Sequence, residues 1–243
     1  MISVCIATYN GEKYIREQLD SILMQLGPDD EVVVCDDRSS DKTLELIEAY
    51  HDPRIHVHRN ETNLGHVRNF EKAISLSRGD YIFLSDQDDV WLPGRVQEML
   101  GQMQRDASVA LVASNFDLIN DQGVSVGEYR LLGPVKRSRL RQVLAIFAGK
   151  SPYFGCTFLL KRNILSYCLP IPKDIESHDI WIALMASVFG RVVNISGATL
   201  KHRIHDRNMT TKSRRALSVV LKSRYYFIRS LAARVFCFKF KIH

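Results

Sequence analysis

Three aspartates stand within four positions of the chain, at Asp86, Asp88 and Asp89. Carboxylates this close repel one another unless a cation neutralises them, and Mg²⁺ or Mn²⁺ prefers carboxylate oxygens and often completes its shell with substrate phosphates. In an extended D-x-D segment, the alternate residues Asp86 and Asp88 can aim at one site. The pattern predicts a site for Mn²⁺ or Mg²⁺, and a solvated acidic turn is the alternative.

A second acidic pair, Asp36 and Asp37, directly follows the apolar run Val32–Cys35. A carboxylate only accepts hydrogen bonds, so it can select the N–H edge of a pyrimidine and the hydroxyls of a ribose. The pair therefore predicts a nucleoside contact. The alternative is that one of the two aspartates caps the helix that follows.

The elements that must position these acids lie in the first 110 residues, where short apolar runs alternate with stretches of helical spacing. The runs Ile2–Thr8, Glu31–Cys35 and Tyr81–Leu84 are rich in β-branched residues, as expected of parallel strands that are buried on both faces. The alternation predicts an α/β fold with a central, mostly parallel sheet. Ligands of such sheets bind at the carboxyl ends of the strands, where both acidic groups stand.

The remaining chain follows a looser pattern. We expect strands at residues 110–115, 154–161, 191–195 and 198–204, and a basic, partly helical connection at residues 132–150. Apolar residues at helical spacing predict a helix over residues 178–189. Residues 213–242 are predicted to form a long basic helix.

Composition limits the class of protein. With 243 residues, 46% of them apolar, the chain is long enough to bury one substantial core. The five cysteines are odd in number and lack paired spacing, which argues against a disulfide framework and a zinc site. No signal peptide and no apolar run of membrane-spanning length is apparent, so we expect a cytoplasmic protein.

The positive charge is concentrated at the end of the chain. The net charge is +6, and residues 201–243 hold twelve Lys or Arg and one acid, Asp206. Arg215, Lys222 and Arg229 recur every seven residues among aromatic side chains, which predicts a helix that lies peripherally on an anionic membrane surface at the inner face of the cytoplasmic membrane. A terminal helix packed on the domain is the alternative. Nucleic acid is not expected as a partner, because no nucleic-acid motif accompanies the charge.

Four segments in order, residues 4–11, 33–41, 63–65 and 85–91, resemble family 2 glycosyltransferases of the GT-A fold. The resemblance covers residues 1–210 and implies a single Rossmann-like GT-A domain, with a nucleotide-sugar-binding half at 1–110 and an acceptor-binding half at 111–210. Residues 211–243 would form a basic amphipathic helix. The implied activity is inverting, metal-dependent transfer from a UDP- or dTDP-sugar to a glycan or lipid-linked acceptor in surface polysaccharide assembly, such as that of O-antigen.

The resemblance also implies roles for residues at the donor end. The nucleotide-binding residues are Thr8, Tyr9, Asn10, Asp37 and Asp86. Asp88 is then the direct metal ligand, with Asp86 beside it in the metal and diphosphate motif. Asp89 departs from the simplest D-x-D pattern, and we expect either a spare carboxylate or a cap for the helix after Pro93.

Further roles follow in the later half of the chain. Asp179 resembles the family's general base, with Glu176 as the competing candidate and a helix-capping Asp179 as the structural alternative. Around it, Trp181 and its neighbours resemble bacterial rhamnosyltransferases, which favours a deoxysugar. His205 is expected to approach the metal and Arg203 the diphosphate, whereas a solvated basic loop is the alternative. Gly155 and Cys156 resemble the acceptor-side strand, where a small residue leaves room for sugar.

Two other functions compete with glycosyl transfer. A nucleotidyltransferase also uses a strand-end carboxylate pair and a metal, but the segment from Asn10 to Lys13 supplies little of the glycine- and basic-rich triphosphate loop it needs. The other is a non-catalytic module that binds a nucleotide sugar.

Overall fold

A computed structural model of the protein describes residues 1–130, 132–133, 138–149, 153–205 and 217–240. Strands and helices alternate along the first hundred residues, as the apolar pattern predicts. The strands are β1 Ile2–Thr8, β2 Glu31–Asp36, β3 Ile55–Arg59, β4 Tyr81–Ser85, β5 Val90–Trp91, β6 Val109–Ile119, β7 Ser125–Tyr129, β8 Phe158–Lys161 and β9 Arg191–Arg203. The helices are α1 Ile15–Leu23, α2 Thr43–Glu48, α3 His66–Leu76, α4 Arg95–Gln104, α5 Arg139–Phe147, α6 Leu165–Cys168, α7 His178–Phe189 and α8 Leu217–Phe240.

The described strands form one sheet in the order β3-β2-β1-β4-β8-β6-β9-β5, and β7 pairs with β6. Strands β3, β2, β1 and β4 are parallel, so their carboxyl ends meet at one edge. Strand β1 is buried on both faces: Val4 and Ile6 belong to the core under α1, and Cys5 belongs to the core under α3. This double burial explains the nearly continuous apolar runs of the sequence.

The second half of the sheet is mixed. Strand β8 runs antiparallel to both β4 and β6, whereas β9 runs parallel to β6 and pairs antiparallel with β5. The predicted parallel character therefore holds for the first four strands, and both directions occur beyond them. This change of direction brings the end of β9 back to the residues that follow β4.

Three predicted elements differ in their limits. The strand expected over residues 110–115 extends over Val109–Ile119 as β6. The strand expected over residues 154–161 begins only at Phe158, because Gly155–Thr157 form one 3₁₀ turn. The two strands expected over residues 191–204 are one strand, β9, which pairs with β6 through register shifts. The Asn115 amide donates to the carbonyls of Ile195 and Ser196 at this irregularity, so the backbone stays hydrogen-bonded through it.

The predicted basic helix is present as α8 over the described part of residues 213–242, and Arg215 lies outside the described residues. In the parts of the chain that the structure covers, no helix is long and apolar enough to cross a membrane. All five cysteines are unpaired in the structure.

Candidate active site

A cleft of about 1160 Å³ opens at the carboxyl ends of β1, β2 and β4. This volume exceeds that of a typical site for one small ligand, so it can hold two substrates side by side. Most residues predicted for the site line this cleft. They are Thr8, Tyr9, Asn10, Asp37, Asp86, Asp88, Gly155, Asp179 and His205. Cys156, Glu176 and Arg203 are not among the lining residues.

The Asp37 carboxylate organises the loop beside the cleft. Its Oδ1 accepts hydrogen bonds from the Asn60 side chain at 2.8 Å and the Leu64 N–H at 2.7 Å, and its Oδ2 accepts one from the Gly65 N–H at 2.8 Å. A carboxylate has about four acceptor positions, so one remains for a ligand. The neighbouring Asp36 is buried and accepts from Thr8 and Ser39, which gives it a structural role within the β1–β2 edge.

Gln87, the middle residue of the D-x-D segment, fixes Tyr9. Its amide accepts from the Tyr9 N–H at 2.9 Å and donates to the Tyr9 carbonyl at 3.1 Å. A Cβ at Gly11 would lie 2.4 Å from the Gln87 Oε1, so the glycine makes room for this clamp. Tyr9 itself is 51% exposed, which leaves its ring open to a planar ligand. The sequence analysis did not select Gln87. Its position between Asp86 and Asp88 was the available signal, because the middle side chain of a D-x-D segment points away from the site of the two aspartates.

Asp88 and His205 meet in the middle of the cleft. Their Oδ2 and Nε2 atoms are 2.8 Å apart, and both side chains are largely buried. The His205 ring stacks on Tyr14 with a centroid distance of 5.2 Å. Asp88 and His205, both predicted for the metal site, are therefore in direct contact, and their role as metal ligands stays a prediction.

Asp89 lies behind the cleft and is neither a spare carboxylate nor a helix cap. It is 1% exposed, its Oδ1 is 2.8 Å from the His202 Nδ1, and Gly94 takes the N-cap position of the next helix, α4. The expected role fails because β9 carries His202 and the Arg203 N–H onto this carboxylate. Its other oxygen, Oδ2, is buried and has no hydrogen-bond partner among the residues that the structure describes.

Negative charge is in excess at this point of the sheet edge. Burial, followed by the charges of Asp89 and Asp88, raises the pKa of Asp86 well above its usual range. Burial disfavours a charged His202, but the facing Asp89 outweighs it and raises the pKa of His202 to about 9. The ligand atoms of Asp86, Asp89, Cys156 and His202 lie within 4.8 Å of one another. Such a group fits a divalent cation, which relieves the repulsion between buried carboxylates.

Asp88 and His205 form a separate contact beside this group. Asp86, Asp88 and His205 line the cleft, whereas Asp89 and Cys156 do not, so the cleft-lining residues are better placed for a metal that contacts a substrate. Burial also raises the pKa of the Cys156 thiol well above its usual range, which keeps the sulfur protonated.

The Arg203 side chain is buried and binds other residues of the protein, and it does not line the cleft. It is 2% exposed, its Nη2 is 2.5 Å from the Glu17 carboxylate, and its Nε donates to the Asp88 carbonyl at 2.9 Å. The guanidinium also lies 4.8 Å from the centroid of the Tyr14 ring. These contacts make Arg203 a positioning residue for Asp88 and do not bring it to a diphosphate.

Asp179 stands on the opposite side of the cleft, in the first turn of α7. Its Oδ1 accepts from the Ile180 N–H at 2.8 Å and from the Ser177 hydroxyl. Burial raises the pKa of Asp179, and these hydrogen bonds offset only part of that effect. Glu176 is exposed and lies outside the cleft lining, so the geometry favours Asp179 over it.

Two histidines complete this side of the cleft, and sequence reasoning did not select them. His178 is 3% exposed and stacks on Phe70 at a centroid distance of 4.4 Å, and the cleft-lining His66 meets its edge at 4.8 Å. Burial lowers the pKa of His178 well below its usual range, so its ring is neutral. A Cβ at Gly155 would lie 2.7 Å from the His178 Nε2. The absence of a side chain at Gly155 therefore makes room for the His178 ring, whereas the sequence predicted that it makes room for a sugar. The position of His178 next to Asp179 was the available signal.

The fold and the cleft define a class of protein. Four parallel strands present carboxylates and a D-x-D segment at one edge, and a mixed half of the sheet closes the site, which is the arrangement of the GT-A fold. The model of the family described as "Glycosyl transferase family 2" matches residues 3–168, and the chain belongs to this family. The protein is therefore a glycosyltransferase.

Similar proteins agree with this assignment. An uncharacterized glycosyltransferase of Methanocaldococcus jannaschii is 29% identical over 214 residues, which span 86% of this chain and 72% of the relative. The Escherichia coli UDP-Glc:alpha-D-GlcNAc-diphosphoundecaprenol beta-1,3-glucosyltransferase WfgD is 23% identical over 97% of this chain and 90% of its own. The crystal structure of S. aureus TarS 1-349 in complex with UDP-GlcNAc superposes with a TM-score of 0.74 at 21% identity. The superposition covers 96% of this chain and 66% of the TarS chain.

Proposed function

We propose that the protein is an inverting, metal-dependent glycosyltransferase that acts in surface polysaccharide assembly. It would take a sugar from a UDP- or dTDP-sugar and pass it to a glycan or lipid-linked acceptor. The printed activity of WfgD, a glucosyl transfer from UDP-Glc to a diphosphoundecaprenol-linked acceptor, supports this choice of substrates. The UDP-GlcNAc complex of TarS supports a uridine nucleotide.

One observation carries the proposal: Asp88 and Asp179 line the same cleft, which is wide enough for a donor and an acceptor. Asp179 accepts the proton of an acceptor hydroxyl as the new bond forms between that oxygen and the anomeric carbon. The bond from this carbon to the diphosphate oxygen breaks on the opposite face, so the configuration inverts. The nucleotide diphosphate leaves with the electron pair.

Charge that grows on the departing diphosphate requires stabilisation. Asp88, Asp86 and His205 would hold Mn²⁺ or Mg²⁺, and the ion, when bound, supplies positive charge beside the leaving group. Asp89, His202 and Arg203 keep these ligands in position from behind.

The nucleoside end of the donor would lie between Tyr9 and Asp37. The exposed Tyr9 ring offers a stacking surface, and Asp37 retains one acceptor position for an N–H or ribose hydroxyl. Thr8, Asn10 and Asp86 complete the predicted contacts. In this proposal residues 1–110 bind mainly the donor and residues 111–210 the acceptor, although His205 of the second half reaches the metal site.

The decisive test is a thermal-shift series with UDP-, GDP- and dTDP-sugars, each with and without Mn²⁺, followed by an assay for donor hydrolysis and transfer. A specific donor stabilises the native state by about 2.7 kcal/mol at a hundredfold excess over its Kd. We expect Mn²⁺-dependent stabilisation by a uridine or thymidine nucleotide and release of the nucleoside diphosphate. Stabilisation without any turnover would instead indicate the non-catalytic module. Release of pyrophosphate from a nucleoside triphosphate would indicate a nucleotidyltransferase.

A further inference from the structure

Helix α8 packs on the domain with one face only. Phe227 is 2% exposed within the core, and Phe238 contacts the Tyr167 ring at a centroid distance of 4.4 Å. Arg234 donates to the Leu169 carbonyl at 2.8 Å and to the next carbonyl along the chain. The helix is therefore held in a fixed orientation on the α6–α7 side of the domain.

The opposite face of α8 is apolar and exposed. Leu221 is 60%, Tyr225 60% and Ile228 56% exposed, and their spacing of four and three residues places them on one stripe. Helix α5 adds Leu140 at 69% and Leu144 at 56%, again four residues apart. Large apolar side chains exposed in a group mark a surface that binds a partner.

The carboxyl end of α5, which carries the second stripe, lies against α8. A Cβ at Gly149, just after α5, would lie 3.7 Å from the Arg224 guanidinium of α8. We call the exposed residues Leu140, Leu144, Leu221, Tyr225 and Ile228 the α5–α8 surface.

The charged side chains of the two helices themselves all have one sign. Lys222 and Arg229 flank the stripe on α8, and Arg139 and Arg141 are exposed on α5. Neither helix contains an acidic residue, and residues 207–243 contain none at all. The acid that the structure places beside the surface is Asp174, which pairs with Arg229 at 3.2 Å.

We propose that the α5–α8 surface docks the protein on an anionic lipid bilayer, with the apolar stripe inserted among the acyl chains and the cations at the phosphate level. Apolar side chains with flanking Lys and Arg are what an interfacial helix requires. A second copy of the chain fits less well, because a symmetric contact brings each patch of cations against itself. The bilayer contact is independent of the proposed reaction.

The surface also has a defined relation to the active site. The Arg229–Asp174 pair joins α8 to the segment that leads into Asp179 at the start of α7. Asp174 precedes Asp179 by five positions, so a short segment joins the α8 side of the domain to the acceptor side of the cleft. A lipid-linked acceptor, which rests on the proposed function, would be held by the same bilayer as the protein.

The test is vesicle flotation of the whole chain. Vesicles of phosphatidylcholine with phosphatidylglycerol should carry the protein upward, and vesicles of phosphatidylcholine alone should carry little. Leu221→Ser with Ile228→Ser should weaken binding to the anionic vesicles by about tenfold or more, because transfer of each apolar side chain is lost. Lys222→Glu should weaken it further by about fivefold or more.

The matched control is Val124→Ser with Val126→Ser, two valines at the start of β7 with 60% and 54% exposure that are not part of the α5–α8 surface. This variant should float like the wild type. Melting curves with and without the nucleotide donor check that each variant folds and still binds, which separates this proposal from the proposed function. Equal loss in both double variants, no flotation of the wild type, or a dimer that dissociates on Leu221→Ser with Ile228→Ser would overturn the membrane assignment.

Discussion

The His205 Nε2 lies 2.8 Å from the Asp88 Oδ2, although 117 positions separate the two residues. Asp88 follows β4 in the parallel half of the sheet, and His205 follows β9 in the mixed half. Arg203 binds the Asp88 carbonyl, and Tyr14 supports the His205 ring, so both ends of the contact are fixed. The proposed metal site thus depends on the docking of the two halves.

Loss of either residue of this pair should abolish metal-dependent donor binding. In Asp88→Ala and in His205→Ala, we expect UDP with Mn²⁺ to stabilise the protein no more than UDP alone, as measured by calorimetry and melting. The fold should persist, because neither side chain belongs to the apolar core. Asp117→Asn, which removes a carboxylate outside the cleft, is the control. A variant with the metal response of the wild type would exclude that residue from the site.

Replacement of Asp179 should separate chemistry from binding. Asp179→Asn keeps the size and one acceptor oxygen but cannot take the acceptor's proton, so transfer should fall by about 10²–10⁴-fold. Donor affinity should stay within error, because the base acts on the transition state. Glu176→Gln is the control and should retain turnover. The reverse pattern would move the base to Glu176. Two active variants would leave Asp179 a purely structural role in the first turn of α7, where Ser177 and not Asp179 takes the N-cap position.

The pH dependence of transfer should reflect the burial of Asp179. Burial raises its pKa, so the base becomes protonated at a higher pH than an ordinary aspartate, whose pKa is about 3.9. Transfer should therefore fall on the acid side through this raised pKa, and the residual rate of Asp179→Asn should lack that limb. A raised pKa also means that the ionised carboxylate destabilises the fold as pH rises. Asp179→Asn should accordingly melt higher than the wild type at neutral pH.

Gly155→Ala should damage the acceptor side through His178. The added methyl would lie 2.7 Å from the His178 Nε2, and Phe70 and His66 hold that ring in place. We expect a stability loss of about 1–3 kcal/mol and, since Asp179 follows His178, a loss of transfer of up to about 10²-fold.

Two further variants test this mechanism. In Gly155→Ala combined with His178→Ala the clash is gone, so the double variant should lose less stability than the sum of the two single variants. Gly101→Ala, at a position on α4 with no atom within 4 Å, is the control and should be neutral or slightly stabilising. A Gly155→Ala protein with the melting point and turnover of the wild type would refute the contact.

Asp37→Ala should weaken both the fold and the donor complex. Three protein donors, from Asn60, Leu64 and Gly65, lose their acceptor, so the free energy of unfolding should fall by about 1–3 kcal/mol. Donor affinity should fall by a similar amount when measured by titration below the melting transition. A destabilised variant with unchanged nucleotide affinity would leave Asp37 a purely structural role.

The first half of the fold could be predicted from the sequence because its signals are local. Apolar runs with β-branched residues located β1, β2 and β4 to within one residue. Parallel strands end at the same edge, so the residues after them, including Asp37 and Asp86, had to meet. Helix α7 and its relation to Asp179 followed from apolar spacing in the same way.

Only the tertiary structure decided which side chains contact each other at the site and which side of α8 is exposed. The sequence does not distinguish the three aspartates Asp86, Asp88 and Asp89. In the structure, His202 of β9 contacts Asp89, and His205, which follows β9, contacts Asp88. Arg203 looks like a phosphate ligand in sequence, but the same strand buries it against Glu17. Helix α8 is apolar on two sides, and only its packing reveals which side remains exposed. Burial and pairing across more than a hundred positions depend on how the sheet halves close, and local periodicity carries no information about that contact.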